Sequence, residues 1–286
     1  MSDSRKKFIL IALGLLLGAC SQEPKAVIPA KPAAGVIYGS DTREDLNQDD
    51  RDPMATQTAM FIADSKLQGP QGTLADLYPL CSDEPFQDQV RLGFCSGVLI
   101  GPNKVLTAAH CFNSLKDCQK TSIVFGFTHD SDLQTTPIYR CKNILNHEQT
   151  NRADYAIIEL DRPVTHIEPA QLATQEELES ANSVLSYSYP LGLPLKRDSG
   201  EISEVNPNLG FFKAAVDTFK GSSGSPLFLL NGKVAGILSR GSEDYLEDDE
   251  YRIKTQGGCL NFHRCNDTKS CFGETFYKTY PLLEIL

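Results

Sequence analysis

Three short stretches of this 286-residue chain hold side chains that together could perform nucleophilic catalysis. In chain order they are Thr107-Ala108-Ala109-His110-Cys111, Ala153-Asp154-Tyr155-Ala156 and Gly221-Ser222-Ser223-Gly224-Ser225-Pro226. A serine hydroxyl is a poor nucleophile until an imidazole within hydrogen-bond reach takes its proton. A buried carboxylate must then fix the imidazole tautomer and stabilise the imidazolium that forms. Such a set carries out acyl transfer through a covalent intermediate. Each stretch alone has a plainer reading: a flexible Gly-Ser loop, a core histidine on an apolar strand, a carboxylate capping a strand end. Jointly, the catalytic reading outweighs the plain ones.

The first stretch is preceded by Phe94-Cys95-Ser96-Gly97-Val98-Leu99-Ile100 and Val105-Leu106. Together these segments resemble the chymotrypsin-like serine peptidases, in which a Thr-Ala-Ala-His-Cys run carries the catalytic histidine. Asp154, at the head of an apolar strand, and the Gly-Ser-Ser-Gly-Ser-Pro loop are similar to the other two elements of that family, and the order His, Asp, Ser is the family's own. The resemblance implies His110 as general base, Asp154 as its orienting carboxylate and Ser223 as nucleophile. It also implies the backbone N–H groups of Gly221 and Ser223 as oxyanion donors, each typically worth about 10²–10³ in rate. A disulfide between Cys95 and Cys111 is implied as well. The fold implied is all-β, two six-stranded antiparallel β-barrels with the site in the cleft between them. The activity implied is that of a serine endopeptidase acting as a monomer on protein or peptide substrates. The alternative is a catalytically idle member of the same fold that serves as a surface adhesin or binding module; the intact His110, Asp154 and Ser223 weigh against it.

The likeness covers most of the chain from Val36 onward. Val36-Ile37-Tyr38-Gly39-Ser40-Asp41-Thr42-Arg43 resembles the opening of bacterial trypsin-like and glutamyl-endopeptidase-like enzymes. One position departs from many animal relatives: the residue before the nucleophile is Ser222, not an aspartate able to pair with a freed N-terminus. Activation by that salt bridge is therefore not expected, although a processing cut near Val36 stays open. The resemblance places the specificity pocket at Asp217, Thr218, Ser239, Arg240 and Gly241. Asp217 stands six residues before Ser223, where trypsin-like members keep the carboxylate that binds Arg or Lys, and a buried anion suits a cationic side chain. The competing expectation is that Asp217 is a structural hydrogen-bonding residue and that Arg240 neutralises it.

The elements that must position these residues read as short strands separated by Gly, Pro, Asn and Asp. They are Phe94–Ile100, Val105–Ala109, Ser122–Phe127, Tyr139–Leu145, Tyr155–Leu160, Val184–Ser188, Phe211–Val216, Pro226–Leu230 and Lys233–Ser239. Many short strands of this kind describe a barrel or sandwich. The best helix candidate opens at Thr174, with Glu177 three residues on as a capping box.

Composition narrows the class further. With 27 Lys and Arg against 37 Asp and Glu, the formal charge is -10, which argues against a nucleic-acid partner, since that binding relies on cations displacing counterions. Nothing in the pattern calls for a cofactor. Arg5, Lys6 and Lys7 precede the twelve-residue apolar run Phe8–Ala19, too short for a bilayer span of about 20 residues and of signal-peptide type. Its end, Leu17-Gly18-Ala19-Cys20, resembles the bacterial lipobox, which implies removal of residues 1–19, lipid attachment at Cys20 and a membrane anchor. Ser21 in place of Asp points to the outer membrane. An ordinary signal peptide on a secreted protein is the alternative. Removing residues 1–19 takes away three cations and one anion, so the mature charge becomes -12. Residues 20–35, with Pro24, Pro29 and Pro32, read as a tether, and 36–286 as the peptidase domain.

Nine cysteines form an odd set for disulfides, and Cys20 is the odd one. Apart from Cys95 and Cys111, the other six allow 15 pairings and sequence does not choose among them; one arrangement pairs Cys118 with Cys141 inside the first barrel and leaves Cys81 for one of Cys259, Cys265 and Cys271. A metal site at Cys259, His263 and Cys265 is the minor alternative, because export favours disulfides and no paired C-x-x-C knuckle is present. The acidic run Glu243–Glu250 reads as a solvated loop that, beside a site, would attract basic substrates.

Overall fold

The structure is a computed structural model and describes residues 35–241, 253–256, 259–262, 264–265 and 273–286. Cys20, the tether before residue 35, the acidic run 243–250, His263 and Cys271 lie outside the described residues. The strands are β1 (Gly35–Tyr38), β2 (Glu44–Asp45), β3 (Thr58–Ala63), β4 (Gly93–Gly101), β5 (Lys104–Thr107) and β6 (Thr121–Phe125). They continue with β7 (Tyr139–Gln149), β8 (Asp154–Leu160), β9 (Ser183–Ser188), β10 (Lys196–Val205), β11 (Phe211–Ala215) and β12 (Thr218–Phe219). The last six are β13 (Pro226–Leu229), β14 (Val234–Arg240), β15 (Ile253–Gln256), β16 (Cys259–Phe262), β17 (Arg264–Cys265) and β18 (Glu274–Lys278).

Two closed six-stranded antiparallel barrels result. The first runs β3-β4-β5-β8-β7-β6. The second runs β11-β18-β14-β13-β9-β10 and closes through β10–β11, with β2 added beside β10. Strand periodicity explains how both are filled. On β3, Phe61 turns into the first barrel among Leu99, Val105, Ile123 and Ile158, whereas Met60 and Ile62 face a second apolar layer. That layer contains residues of both barrels, among them Val98, Leu106, Ile157, Tyr187, Tyr189, Phe228, Ile237 and Tyr277. Phe212, Leu227, Leu229, Leu238 and Phe276 fill the second barrel. Strands such as β4 and β8 bury both faces, so they read in sequence as unbroken apolar runs; each large side chain so buried contributes about 1.5–3 kcal/mol.

All nine expected strands are present. Val105–Ala109 stops at Thr107, because Ala109–Cys111 winds into a 3-10 turn. Three barrel strands, β3, β10 and β18, lie outside the sequence expectation. The helix covers Gln175–Ser180 with Thr174 as N-cap, and its capping box is closed in both directions, Thr174 N–H to Glu177 Oε2 at 2.8 Å and Glu177 N–H to Thr174 Oγ1 at 3.3 Å.

Disulfides join Cys81–Cys259, Cys95–Cys111 and Cys118–Cys141. Cys265 is also disulfide-bonded, so neither Cys259 nor Cys265 offers a thiolate to a metal. The Cys118–Cys141 bridge ties the short helix Leu115–Cys118 to β7 inside the first barrel's core.

Candidate active site

His110 sits in the 3-10 turn Ala109–Cys111 that ends β5, and several contacts fix this turn. Thr107 Oγ1 donates to Ser96 O at 2.7 Å across β4. The Cys95–Cys111 disulfide closes the 16-residue separation between β4 and the turn, a cross-link worth about 3 kcal/mol at that loop length. On β7, the Nε2 of His147 lies 3.0 Å from both Ala109 O and Phe112 O, at the two ends of the turn.

Asp154 opens β8 and is buried. Its Oδ2 accepts from His110 Nδ1 at 2.8 Å and from Ser239 Oγ on β14 at 2.6 Å, while Oδ1 accepts from the His110 backbone N–H at 3.2 Å. Burial pushes the carboxyl up, but the hydrogen bonds from His110 and Ser239 outweigh it and hold the group below the ordinary aspartate value. Asp154 is thus anionic at neutral pH. With Nδ1–H committed to it, the other ring nitrogen, Nε2, remains an acceptor.

The loop 221–226, which carries Ser223, is seated against the same strand, β4. Ser223 O accepts from Ser96 N–H at 2.8 Å and lies 3.7 Å from the disulfide sulfur of Cys111. Ser96 Oγ donates to Gly221 O at 2.9 Å and accepts from Tyr189 N–H at 3.2 Å. A single buried polar residue in an apolar strand therefore registers both Gly221 and Ser223. Two glycines make the turn feasible. Gly221 has φ +102° and Gly224 φ +80°, values that a side chain resists. A Cβ on Gly224 would stand 2.1 Å from Thr107 Oγ1 and 2.4 Å from Ser96 O. The backbone N–H groups of Gly221 and Ser223 donate to no acceptor among the described residues. His110 Nε2 and Ser223 Oγ make no hydrogen bond to each other, a looseness common before substrate tightens such a site.

The residues expected to line a pocket divide into three groups. Ser239 serves Asp154, as above. Thr218 is buried, with Oγ1 donating to Glu274 Oε2 at 2.7 Å, and a Cβ on Gly241 would lie 3.2 Å from that same oxygen. Glu274, buried on β18, is a carboxylate that sequence reasoning missed because nothing links it in spacing to Ser223. Asp217 faces elsewhere. Its Oδ1 accepts from Tyr38 N–H at 2.7 Å and its Oδ2 from Thr42 N–H at 3.3 Å. Burial and the neighbouring Asp198 push Asp217 up to about 7, against the opposing hydrogen bonds and the Arg43 charge. Arg240 does not neutralise it: that side chain is exposed, and its guanidinium lies over the Phe211 ring, 5.3 Å from the centroid. Ser222, before Ser223, is fully buried, with Oγ 3.1 Å from Ser188 Oγ.

The sequence and the fold are similar to those of known proteins. The family model of the trypsin-like peptidase domain matches residues 95–237, half of the chain. A trypsin of Simulium vittatum is 29% identical over 180 residues, 51% of this chain and 70% of the relative. A trypsin of Saccharopolyspora erythraea is 27% identical over 175 residues, 52% of this chain and 75% of the relative. Among solved structures, the VesB protease of Vibrio cholerae superposes with TM-score 0.53 at 15% identity, covering 85% of this chain and 65% of that one. The secreted serine protease VesC of Vibrio cholerae gives TM-score 0.53 at 15% identity, covering 84% of this chain and 46% of that one. The present chain thus spans less than two thirds of either solved protein. The chain belongs to the trypsin-like peptidase family and is by class a serine endopeptidase.

Proposed function

We propose that this protein hydrolyses peptide bonds through a Ser223-His110-Asp154 triad. The observation that carries the reading is the buried Asp154 carboxylate 2.8 Å from His110 Nδ1, braced by Ser239 Oγ at 2.6 Å. Ser223 Oγ attacks the scissile carbonyl carbon and gives its proton to His110 Nε2. The oxyanion is received by the N–H groups of Gly221 and Ser223. Collapse breaks the C–N bond, and the leaving amine takes the proton from His110. A water then loses a proton to His110 and attacks the acyl carbon, and that proton returns to Ser223 Oγ as the carboxylic product leaves. Treating the mature protein with a fluorophosphonate is expected to add one phosphonyl group to the peptide containing Ser223, read by mass spectrometry. Absence of any Ser223 adduct would favour an idle binding module of the same fold.

Preference for Arg or Lys before the cut belongs to the same reading, with Glu274 in place of Asp217 as the anion. Glu274 Oε2 lies beside Thr218 and Gly241 and its Oε1 accepts from the Tyr38 hydroxyl at 3.0 Å, while both Asp217 oxygens accept backbone N–H groups of residues 38–42. Glu274→Gln is expected to lower kcat/KM for substrates with Lys or Arg at that position by about 10²-fold relative to uncharged ones, the scale of losing one partner of a buried charge pair. An unchanged peptide-library profile removes the role. The reading also includes export, with Phe8–Ala19 as signal and Cys20 as lipid attachment to the outer membrane, a secreted form being the alternative.

A further inference from the structure

The N-terminal segment is built into the approach to the nucleophile. β1 pairs with β12, Gly35 opposite Phe219 and Val36 opposite Thr218. Ile37, Leu191, Leu193 and Phe219 pack in one buried cluster. Two buried carboxylates then bind this segment from the other side. Asp217 accepts the Tyr38 and Thr42 N–H groups at 2.7 and 3.3 Å, as above. Asp198 on β10 accepts from Thr42 Oγ1 at 2.7 Å and from Asp217 N–H at 2.6 Å. Arg43 covers the arrangement, paired with Asp41 at 2.6 Å and stacked 4.3 Å from the Phe219 ring centroid. From there the connection to the nucleophile is short. Phe219 O accepts from Ser222 N–H at 2.9 Å, and Phe219 N–H points to Ser222 Oγ at 3.4 Å. Residues 38–42 are thus hydrogen-bonded to the carboxyl pair, and two residues along the chain from Asp217 stands Phe219, which is hydrogen-bonded to Ser222, the residue before Ser223.

We propose that Asp217 and Asp198 are positioning residues: they clasp residues 38–42 against the segment 217–222 and thereby hold the N–H groups of Gly221 and Ser223 in the geometry that receives the oxyanion. This inference rests on the catalytic reading of Ser223. It assigns Asp217 to the shape of the loop and not to recognition of the substrate side chain. An isolated buried carboxylate is costly, and two adjacent ones more so. Here the compensating donors are the Tyr38 and Thr42 N–H groups on Asp217, and Thr42 Oγ1 with the Asp217 and Ser199 N–H groups on Asp198, with the Arg43 charge nearby, so the N-terminal segment and the loop stabilise each other in this form.

The test compares Asp217→Ala, Asp217→Asn and Thr42→Val with wild type by the rate of Ser223 phosphonylation, by kcat and KM separately, and by the peptide-library profile. Asp217→Ala removes both acceptors and is expected to lower kcat and the phosphonylation rate about 10²-fold, the scale of a displacement near 1 Å at a reacting centre. KM and the preferred residue before the cut are expected to stay unchanged. Asp217→Asn keeps an acceptor oxygen and is expected to recover most of that loss, which a general loss of packing would not do. Thr42→Val, which deletes only the bond to Asp198, keeps the inference testable if Asp217→Ala fails to fold, and about a 10-fold fall in kcat is expected from it. Wild-type phosphonylation rates in both Asp217→Ala and Thr42→Val would overturn the clasp. So would a changed side-chain preference in Asp217→Asn at normal kcat. If wild type itself is not phosphonylated, the catalytic reading fails first, which separates the two outcomes.

Discussion

Ser223→Ala is expected to lower kcat by about 10⁶-fold with little change in thermal stability. The size follows from triads acting as a unit: without the nucleophile, only transition-state binding by the oxyanion donors and substrate contacts remains, about 10³–10⁴ over water. The unchanged stability follows from the local structure. Ser223 is fixed through its main chain, with its carbonyl taking the Ser96 N–H at 2.8 Å. Its hydroxyl has no protein hydrogen-bond partner among the described residues, so alanine leaves no group unsatisfied and a shift within about 0.5 kcal/mol is expected. Steady-state kinetics and a melting curve on the same preparation check both halves. Residual activity above about one per cent of wild type would locate the nucleophile elsewhere.

Asp154→Asn is the second large effect, a fall in kcat of about 10⁴, the scale known for this change in a serine-peptidase triad. The carboxylate collects three donors, from His110 Nδ1, the His110 backbone and Ser239 Oγ, and an asparagine has one acceptor oxygen for them. If its NH₂ faces His110, the imidazole is driven to carry its proton on Nε2, where it cannot take the proton of Ser223. A pH signature accompanies the kinetic one. The folded-state value of Asp154 lies below 3.8, so its ionisation contributes stability that is present above that value and lost as pH falls through the lowered one. The Asn variant is expected to lack this part of the acid transition, as measured by denaturant unfolding between about pH 5 and pH 2. An Asp154→Asn enzyme with kcat within 10-fold of wild type would remove the carboxylate from the mechanism.

Those two residues and His110 were legible in the sequence because each lies in a short local pattern beside an apolar strand. β4, β5 and β8 were legible for a related reason, since burial on both faces leaves continuous apolar runs. β10 was hidden by its composition. Lys196 is buried with its Nζ 2.6 Å from Asp45, Arg197 pairs with Glu44, and Asp198 binds Thr42 and the Asp217 backbone. Charges that look solvated along the chain are compensated by residues about 150 positions earlier, and no local window contains that information. Asp217 shows the same limit in the site. Its spacing to Ser223 was read correctly, but spacing says nothing of which side of the chain a carboxylate faces, and the donors of Tyr38 and Thr42 decide that. Ser239 was placed near the site by resemblance, yet its bond to Asp154 depends on β14 and β8 meeting across the two barrels.

The bridge between Cys81 and Cys259 spans 178 residues and encloses His110, Asp154 and Ser223, the Cys95–Cys111 and Cys118–Cys141 bridges and most of both barrels. For a protein of this class the enclosure bears on its own survival. Any single cut between those two cysteines leaves the fragments covalently joined, so a nicked molecule gains only the mass of one water and its pieces stay at high effective concentration for one another. Self-cleavage inside that span becomes visible only after reduction, as two bands where a non-reducing gel shows one.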